Sequence, residues 1–468
     1  MVVQRNTTNR HPLPYRRQNN MATVVVWGAL LLGLITEPTF AASGGSTSTV
    51  ESKAAALFKA GDYPAVANLF RELPSDATPS KAFLRQAFLS YVRLGRTDEA
   101  LTIYSTLHQS GPHDYSLLRP LALGMITSHV RDRHEQVRIA AYSALADLGL
   151  PETAALLEDG LLDTSVVVRA RAAEAIGKAG LAAKSGALRR ALRDEMPTVR
   201  MAAMTALADA NASDVRQRLL DVARTEDGPE AVFAYAALVK LGRLEKLDDI
   251  KSAATLPDTE SRMAALGALG RLKHPRSLAV LSQAVYDPDP SVRAFAAGAL
   301  GEFGSPGGVA PLTHAIGDEV GMVRGVAATS LGRLGIKENR PLLLGLTRDP
   351  NPHVRASAVE GLLRLGDASA LSLAGDLARH PDPSIRSAAA QALSASSDKQ
   401  ALTLLQNLLQ DQQPLPRLMA ARSLRKSHVE AVPVLVKGLQ DTDEAVRIAS
   451  AHSLLHQITQ QSSGKRRR

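Results

Sequence analysis

The regular return of one short motif limits the possible folds of this chain more than any other feature. The dipeptide Val-Arg, or a close variant, recurs every thirty-one positions along most of the sequence, and one slot in the series holds Ala231 instead of arginine. Eleven units are therefore present, because self-similarity at a fixed period of about 20 to 50 residues marks a repeated supersecondary unit. The ten arginines of the series are Arg138, Arg169, Arg200, Arg262, Arg293, Arg324, Arg355, Arg386, Arg417 and Arg447.

Each unit carries the signals of two helices and a turn. With the arginine slot as position zero, an aspartate at −6 predicts a turn, apolar side chains at +3, +4, +7 and +10 predict a helix face, and a glycine at +11 predicts the end of that helix. A two-helix unit cannot bury its apolar face alone, so the copies must stack. The sequence thus predicts an all-α, right-handed α-solenoid of about eleven 31-residue helix-turn-helix repeats.

The repeat also resembles a known family. The aspartate ahead of Val-Arg, the following Ala-Ala-x-x-Ala-Leu and the closing Leu-Gly are similar to short HEAT repeats of the phycobilisome-lyase-like class, from about Leu117 to Ile458. Ahead of them, Gly61-Asp62-Tyr63 recurs thirty-four positions later as Gly95-Arg96-Thr97. That pair resembles tetratricopeptide (TPR) repeats and predicts a helical cap on the first HEAT-like unit.

The two ends of the chain are predicted to differ from the repeats. Four arginines precede an apolar run over residues 22–35, and small residues follow it, which is typical of a secretory signal peptide. We expect domains over residues 1–41 (signal peptide), 42–49 (flexible linker), 50–111 (TPR-like segment), 112–459 (HEAT-like solenoid) and 460–468 (disordered basic tail). The protein is then periplasmic or secreted, or membrane-tethered where the signal stays uncleaved. A twin-arginine signal and a start at Met21 are the weaker alternatives.

Charge is concentrated at these ends. The chain has a net charge of +9, of which the predicted signal peptide carries +3 and the last four residues +4, leaving +2 for the body. A nearly balanced body offers no broad basic field, so we expect no nucleic-acid partner. The basic tail is interpreted either as a solubilising segment or as a weak contact with anionic membranes.

Catalytic patterns are absent from the sequence. The chain has no cysteine, and its twelve histidines are scattered singly. HEAT-type dinuclear-iron hydroxylases use repeated His-Glu pairs, whereas this chain has one, His134-Glu135. We therefore expect no enzyme activity, no metal and no cofactor. The alternative function is an accessory or lyase-like protein acting on a chromophore-bearing or otherwise modified protein.

The sequence predicts one set of residues with a structural role and another set that binds a partner. It leaves the oligomeric state open. Aspartates and arginines at the turns can pair within and between units as a structural ladder: Asp163, Arg169, Asp194, Arg200, Asp287, Arg293, Asp318, Arg324, Asp349, Arg355 and Arg386. Positions +2, +5 and +9 lie opposite the core-facing set of the second helix. Large apolar and basic residues there predict a groove for a protein or peptide: Phe233, Lys240, Arg271, Phe295, Val326, Arg333 and Arg364. The alternative is that the large side chains pack against neighbouring second helices.

Overall fold

The computed structural model describes residues 47–108, 113–426 and 429–465, apart from the side chains of 47, 426, 429 and 461–465. The predicted signal peptide and residues 466–468 lie outside this part of the chain. Every regular element in the described ranges is helical, and none of these helices is long and apolar enough to cross a membrane. The all-α prediction is confirmed.

Four helices precede the repeats, and they pack in sequence order up to the first repeat helix. They are α1 (Thr47–Ala60), α2 (Tyr63–Arg71), α3 (Lys81–Arg93) and α4 (Thr97–Leu107).

Eleven units of two helices follow, which we number 1 to 11. The outer helices are α5 (Tyr115–Ser128), α7 (Ala154–Gly160), α9 (Gly186–Ala191), α11 (Arg216–Thr225), α13 (Lys246–Ala253), α15 (Leu278–Gln283), α17 (Val309–Ala315), α19 (Arg340–Leu346), α21 (Ala370–Leu377), α23 (Lys399–Leu408) and α25 (Val432–Gly438). The inner helices are α6 (Glu135–Leu148), α8 (Val166–Lys178), α10 (Pro197–Asp209), α12 (Gly228–Lys240), α14 (Thr259–Leu272), α16 (Pro290–Phe303), α18 (Gly321–Arg333), α20 (Pro352–Arg364), α22 (Pro383–Leu393), α24 (Pro414–Ser423) and α26 (Glu444–Lys465). A 3-10 turn over Leu424–Lys426 continues α24.

Local sequence sets both ends of the inner helices. In unit 6 the carboxylate of Asp289 accepts from the Ser291 N–H and caps α16, while Pro290 occupies the first helical position. Asp287, at position −6 of this unit, accepts from the Asp289 N–H and so holds the turn before the cap. At position +11 the backbone is left-handed in units 1 to 8, including two non-glycine residues, Asn211 and Lys273.

The eleven inner helices form a closed ring. Each inner helix packs directly on the next, and α26 packs on α6 as well as on α5. Outer helices pack mainly on inner helices and hardly on one another. In a ring, the layer whose helices touch lies at the smaller radius, so the inner helices line the central opening. We call the α26 contact with α5 and α6 the seam.

Small residues allow the close approach of inner helices. A Cβ on Gly332 of α18 would lie 2.4 Å from the Cα of Gly361 of α20, a separation that only two glycines permit. Leucines at position +7, such as Leu300 and Leu331, are fully buried behind this contact. One hydrophobic core runs through the array and across the seam.

Two helix bounds differ from the predicted segment boundaries. Helix α1 begins at Thr47, inside the predicted linker 42–49, and the Ser52 hydroxyl donates to the Ser48 carbonyl within its first turns. Helix α26 continues to Lys465, so residues 460–465 of the predicted disordered tail are helical. Both segments lack proline, and adding a residue to an existing helix costs far less than starting one.

Candidate binding surface on the inner helices

The turns of the ring are tied together by arginine. Arg324 donates from Nε and Nη2 to the two carboxylate oxygens of Asp349 in the next unit, at 2.7 and 2.9 Å. Its Nη1 donates to the carbonyls of Asp318 and Glu319 in its own turn, at 2.8 and 3.0 Å. One guanidinium thus joins two consecutive turns, which fixes the register of neighbouring units.

The same bidentate pairing recurs between units. It joins Arg138 to Asp163, Arg169 to Asp194, Arg293 to Asp318, Arg386 to Asp411 and Arg417 to Asp441. Arg262 forms an ion pair with Asp287 at the same position, but only its Nη2 donates a hydrogen bond to this carboxylate, at 3.0 Å. These side chains are mostly shielded from water, and the guanidinium of Arg324 is the main cause that lowers the pKa of Asp349. The ladder therefore holds charged groups in their ionised forms.

Two members depart from this pattern. Arg200 pairs with Glu230, because Thr225 occupies the expected aspartate slot of the degenerate unit. Arg355 faces a unit with His380 in that slot, and its Nη1 donates to the Asp349 and Pro350 carbonyls. The periodic pattern could not identify Glu230, since that residue lies outside the aspartate column.

The face of the inner helices formed by positions +2, +5 and +9 lines the opening. We call it the inner face. Eleven helices packed about 8–10 Å apart give a perimeter of roughly 90–110 Å, and for a circular arrangement this leaves an opening of roughly 20 Å. An extended segment or a single helix fits into such a space.

Three of the predicted partner-binding residues meet at one pocket. Phe233, Lys240 and Arg271 line a cavity of about 270 Å³ between α10, α12 and α14. The guanidinium of Arg271 lies over the Phe233 ring, 5.4 Å from its centroid. Lys240 pairs with Asp209 at 3.1 Å, and Glu302 also lines the cavity. The pocket is therefore balanced in charge, where the sequence had suggested a basic groove.

Phe295 and Val326 occupy the next two inner helices. A Cβ on Gly267 would lie 3.0 Å from the Phe295 ring, and one on Gly298 would lie 3.5 Å from the Val326 side chain. Each large side chain thus packs over a glycine of the preceding unit, as the structural alternative expects. Phe295 nevertheless keeps 43% of its surface exposed, which is unusual for a phenylalanine.

The remaining two predicted residues are separate from this pocket. Arg364 donates to Glu360 on its own helix at 2.8 Å, and Arg333 ends α18 with an exposed side chain. The structure therefore gathers Phe233, Lys240 and Arg271 at one place, sets Phe295 and Val326 beside it, and leaves the last two farther along the ring.

A larger cavity lies at the seam, and sequence reasoning missed it. It is lined by Arg422 and His452, among others. Both residues stand at position +5, where units 5 and 6 have glycine. Glu174, Glu360 and Gln391 are large polar residues at the same position in other units, so this column gave no specific signal, and the cavity depends on the last unit meeting the first.

Three possible metal ligands also meet at the seam. Ligand atoms of His129, Asp132 and Glu444 lie within 4.8 Å of one another, on partly exposed side chains. Asp132 Oδ1 already accepts from the His134 N–H at 2.7 Å. Such surface groups are common without a metal, and the expectation that the chain holds none stays a prediction.

Solved structures with a similar arrangement of helices share little sequence with this chain. Human deoxyhypusine hydroxylase has 20% identity and a TM-score of 0.30, with 54% of this chain and 98% of that chain covered. The CpcE–CpcF phycocyanin lyase complex of Nostoc sp. PCC7120 has 22% identity and a TM-score of 0.34, covering 45% and 94%. Kap121p bound to Nup53p has 13% identity and a TM-score of 0.33, covering 91% and 53%.

No curated protein sequence matches the chain. The family model for HEAT repeats matches five times, over residues 117–177, 160–239, 279–346, 339–425 and 403–463, which together make up more than half of the sequence. These matches fall on the helix pairs of the ring and confirm the HEAT-type resemblance. The chain belongs to the family of HEAT-repeat proteins.

Proposed function

We propose that this protein is a non-enzymatic scaffold that holds a protein or peptide segment against the inner face of its ring. The observation that carries the proposal is the Phe233 pocket, about 270 Å³ in volume, next to the exposed ring of Phe295. A pocket of this size accepts one or two side chains rather than a whole cofactor. An aromatic floor with charged groups at its rim suits an apolar anchor residue whose flanking backbone is polar.

Site-specific photo-crosslinking tests where the partner lies. A photoreactive phenylalanine analogue at position 295 should crosslink to a discrete partner in cells that make the protein. The control places the same analogue at Tyr286, which is 54% exposed but follows the outer helix α15. Crosslinks from position 286 and none from position 295 would contradict an inner-face site.

Charge reversal tests the rim. Replacing Lys240, Arg271, Arg333 and Arg364 together with glutamate removes the cation over the Phe233 ring and the Lys240–Asp209 pair. We expect crosslinking from position 295 to fall at least tenfold while the helical content is retained. An unchanged crosslinking yield in the folded variant would place the binding site elsewhere.

A lyase-like or accessory role is the competing function, and it makes a different prediction for the purified protein. A visible absorption band or a stoichiometric metal in the native preparation would favour that role. We expect a colourless preparation without bound metal, as determined by absorption spectroscopy and elemental analysis.

Export is part of the proposal. It is supported by the arginines before the apolar run of residues 22–35 and by the small residues that follow. We expect the mature protein to begin near residue 42, which mass spectrometry of the native protein measures. An intact amino terminus in a membrane fraction would indicate a retained anchor instead.

A further inference from the structure

The cavity at the seam lies where the last two units meet the first two. It has a volume of about 500 Å³ and is lined by α6, α8, α24 with its 3-10 turn, and α26. The Phe233 pocket lies instead between α10, α12 and α14, in units 3 to 5. The two cavities are therefore separate sites.

Basic groups outnumber acidic ones around the seam cavity. Its charged lining consists of Arg171, Lys178, Arg422 and Arg425 with Asp147 and Glu174. Asp147 pairs with both Lys178, at 3.0 Å, and Arg425, at 3.2 Å. Glu174 pairs with Arg171 at 2.7 Å. The lining has a net charge of +2 when histidine is neutral, since four basic groups face two acidic ones, and the ion pairs do not compensate this excess.

Arg422 is the group left without a partner. No carboxylate in the described part of the chain lies within ion-pair distance of it, and the surrounding protein lowers the pKa of its guanidinium by desolvation. A guanidinium presents five N–H donors in a planar fork that matches carboxylate and phosphate oxygens. Arg422 is exposed on the wall of an open cavity and lacks such a partner, so its donors are available to an anionic ligand.

His452 forms part of the wall of the same cavity, and its titration can report on a ligand bound there. Its side chain lines the cavity, only 6% of the residue is exposed, and its buried Nε2 has no hydrogen-bond partner among the described residues. Burial lowers its pKa to about 4, so the ring is neutral at pH 7. A buried nitrogen without any partner is rare in folded proteins, but this Nε2 is out of reach of a water molecule, so it lies in the wall of the cavity and does not face its open space.

We infer that the seam cavity is a binding site for a small oxyanion, a carboxylate or phosphate ester, held by Arg422 and Arg425 beside the buried ring of His452. The ligand contacts α24 and α26 of the last two units directly, and it reaches the first two units through Asp147 and Lys178. Binding therefore favours the closed ring, because the cavity is complete only when the seam brings α6 and α8 against α24 and α26. The inference is independent of the peptide-binding proposal.

Calorimetry at low ionic strength tests the site with three probes: pyrophosphate, succinate and, as the monovalent control, chloride. Saturable binding of pyrophosphate alone assigns a phosphate ligand, and binding of succinate alone assigns a carboxylate; both support the site.

Arg422→Gln should weaken binding at least tenfold. The matched control is Arg190→Gln, at an exposed arginine of the outer helix α9, which should leave affinity unchanged. The inference is overturned when neither pyrophosphate nor succinate binds saturably, or when the Arg422 variant binds as tightly as the unaltered protein.

A measurement on the unaltered protein avoids any folding defect of the variant. The groups that face His452 are Asp147 on α6, Arg422 and Arg425 on α24 and its turn, and His456 on α26. A bound oxyanion adds negative charge beside the ring and should raise the pKa of His452 by about one unit or more, measured by NMR titration with saturating probe. His452→Asn identifies the resonance. An unchanged pKa with the probe bound elsewhere would refute the assignment.

Discussion

The arc from α14 to α20 and the seam close the same ring by different means. In the arc, glycines such as Gly332 and Gly361 bring inner helices into backbone contact, and each ladder arginine reaches the aspartate of the next unit. At the seam, Arg447 of the last unit reaches Asp98 of α4 instead, and charged side chains surround a cavity. The arc is thus built for close packing, whereas the seam contains space and unpaired polar groups.

The comparison shows that the regular repeat pattern of the sequence stops before the last unit of the ring. The left-handed residue after the inner helix persists through units 1 to 8 and is missing from unit 9. Helix α26 buries polar residues, among them Ser453, whose hydroxyl donates to the Ala421 carbonyl at 2.7 Å. Units that meet a non-identical neighbour need side chains that the regular repeat does not supply.

The largest expected effect is at the ladder in the arc. Asp349→Ala would leave Arg324 largely buried without its carboxylate, and the free energy of unfolding should fall by about 3–5 kcal/mol. Asp349→Asn keeps an oxygen for the Asn351 N–H and should cost less. The control is Asp376→Ala, in an exposed pair with Arg379, where we expect less than about 1 kcal/mol. Urea denaturation measures all three, and equal losses would remove the distinction between ladder and surface pairs.

The second-largest expected effect is a loss of folding stability at low pH, which arises at the seam and not in the arc. The pKa of His452 is about 4 in the folded protein and near the ordinary value of about 6.5 in the unfolded chain. Its stabilising contribution is therefore present above pH 6.5 and lost as pH falls from 6.5 to 4, up to roughly 3 kcal/mol.

Urea denaturation at pH 7, 5.5 and 4 measures this loss. His452→Asn should flatten the dependence in that window, while His353→Asn, at an exposed position of α20, should leave it as it is. If the two variants show the same slope, His452 does not titrate at the seam as described.

A smaller effect tests the close approach within the arc. Gly332→Ala places a Cβ against the backbone of Gly361, so the two helices must separate, and we expect a loss of about 1–3 kcal/mol. In Gly345→Ala, on the outer helix α19, a Cβ meets nothing within 4 Å. Alanine should there stabilise the helix by about 0.5–1 kcal/mol. Thermal unfolding should show midpoint shifts of opposite sign, and a neutral Gly332→Ala would argue against backbone contact.

The smallest effect is expected at the ion pair that crosses the seam. Asp98 is 71% exposed on its side chain, so its attraction to Arg447 is screened by water. Asp98→Ala should therefore lower the free energy of unfolding by less than about 1 kcal/mol. A loss near that of Asp349→Ala would mean that the seam, too, depends on a strong ion pair.

Much of the local structure was predictable because it repeats. The aspartate, arginine and glycine columns indicated the turns and the ends of the inner helices, and averaging over eleven units makes such a pattern visible in one sequence. The prediction was weaker where a unit departs from the average, as with Glu230 in place of an aspartate or the helical start at Thr47. At the candidate site, the columns placed Phe233 and Arg271 on the same face as the carboxylates of Asp209 and Glu302, but they did not show that these groups meet at one pocket.

The sequence by itself determined the helix-turn-helix unit, the core-facing leucines and the face that carries the large apolar and basic residues. These features depend on contacts within a unit or between adjacent units, and the spacing of those contacts along the chain can be read from the sequence. Only the tertiary structure decided that the array closes, since closure depends on small rotations summed over eleven units. It therefore also decided that Asp147 lies 3.2 Å from Arg425, 278 residues away, and that a cavity forms between them.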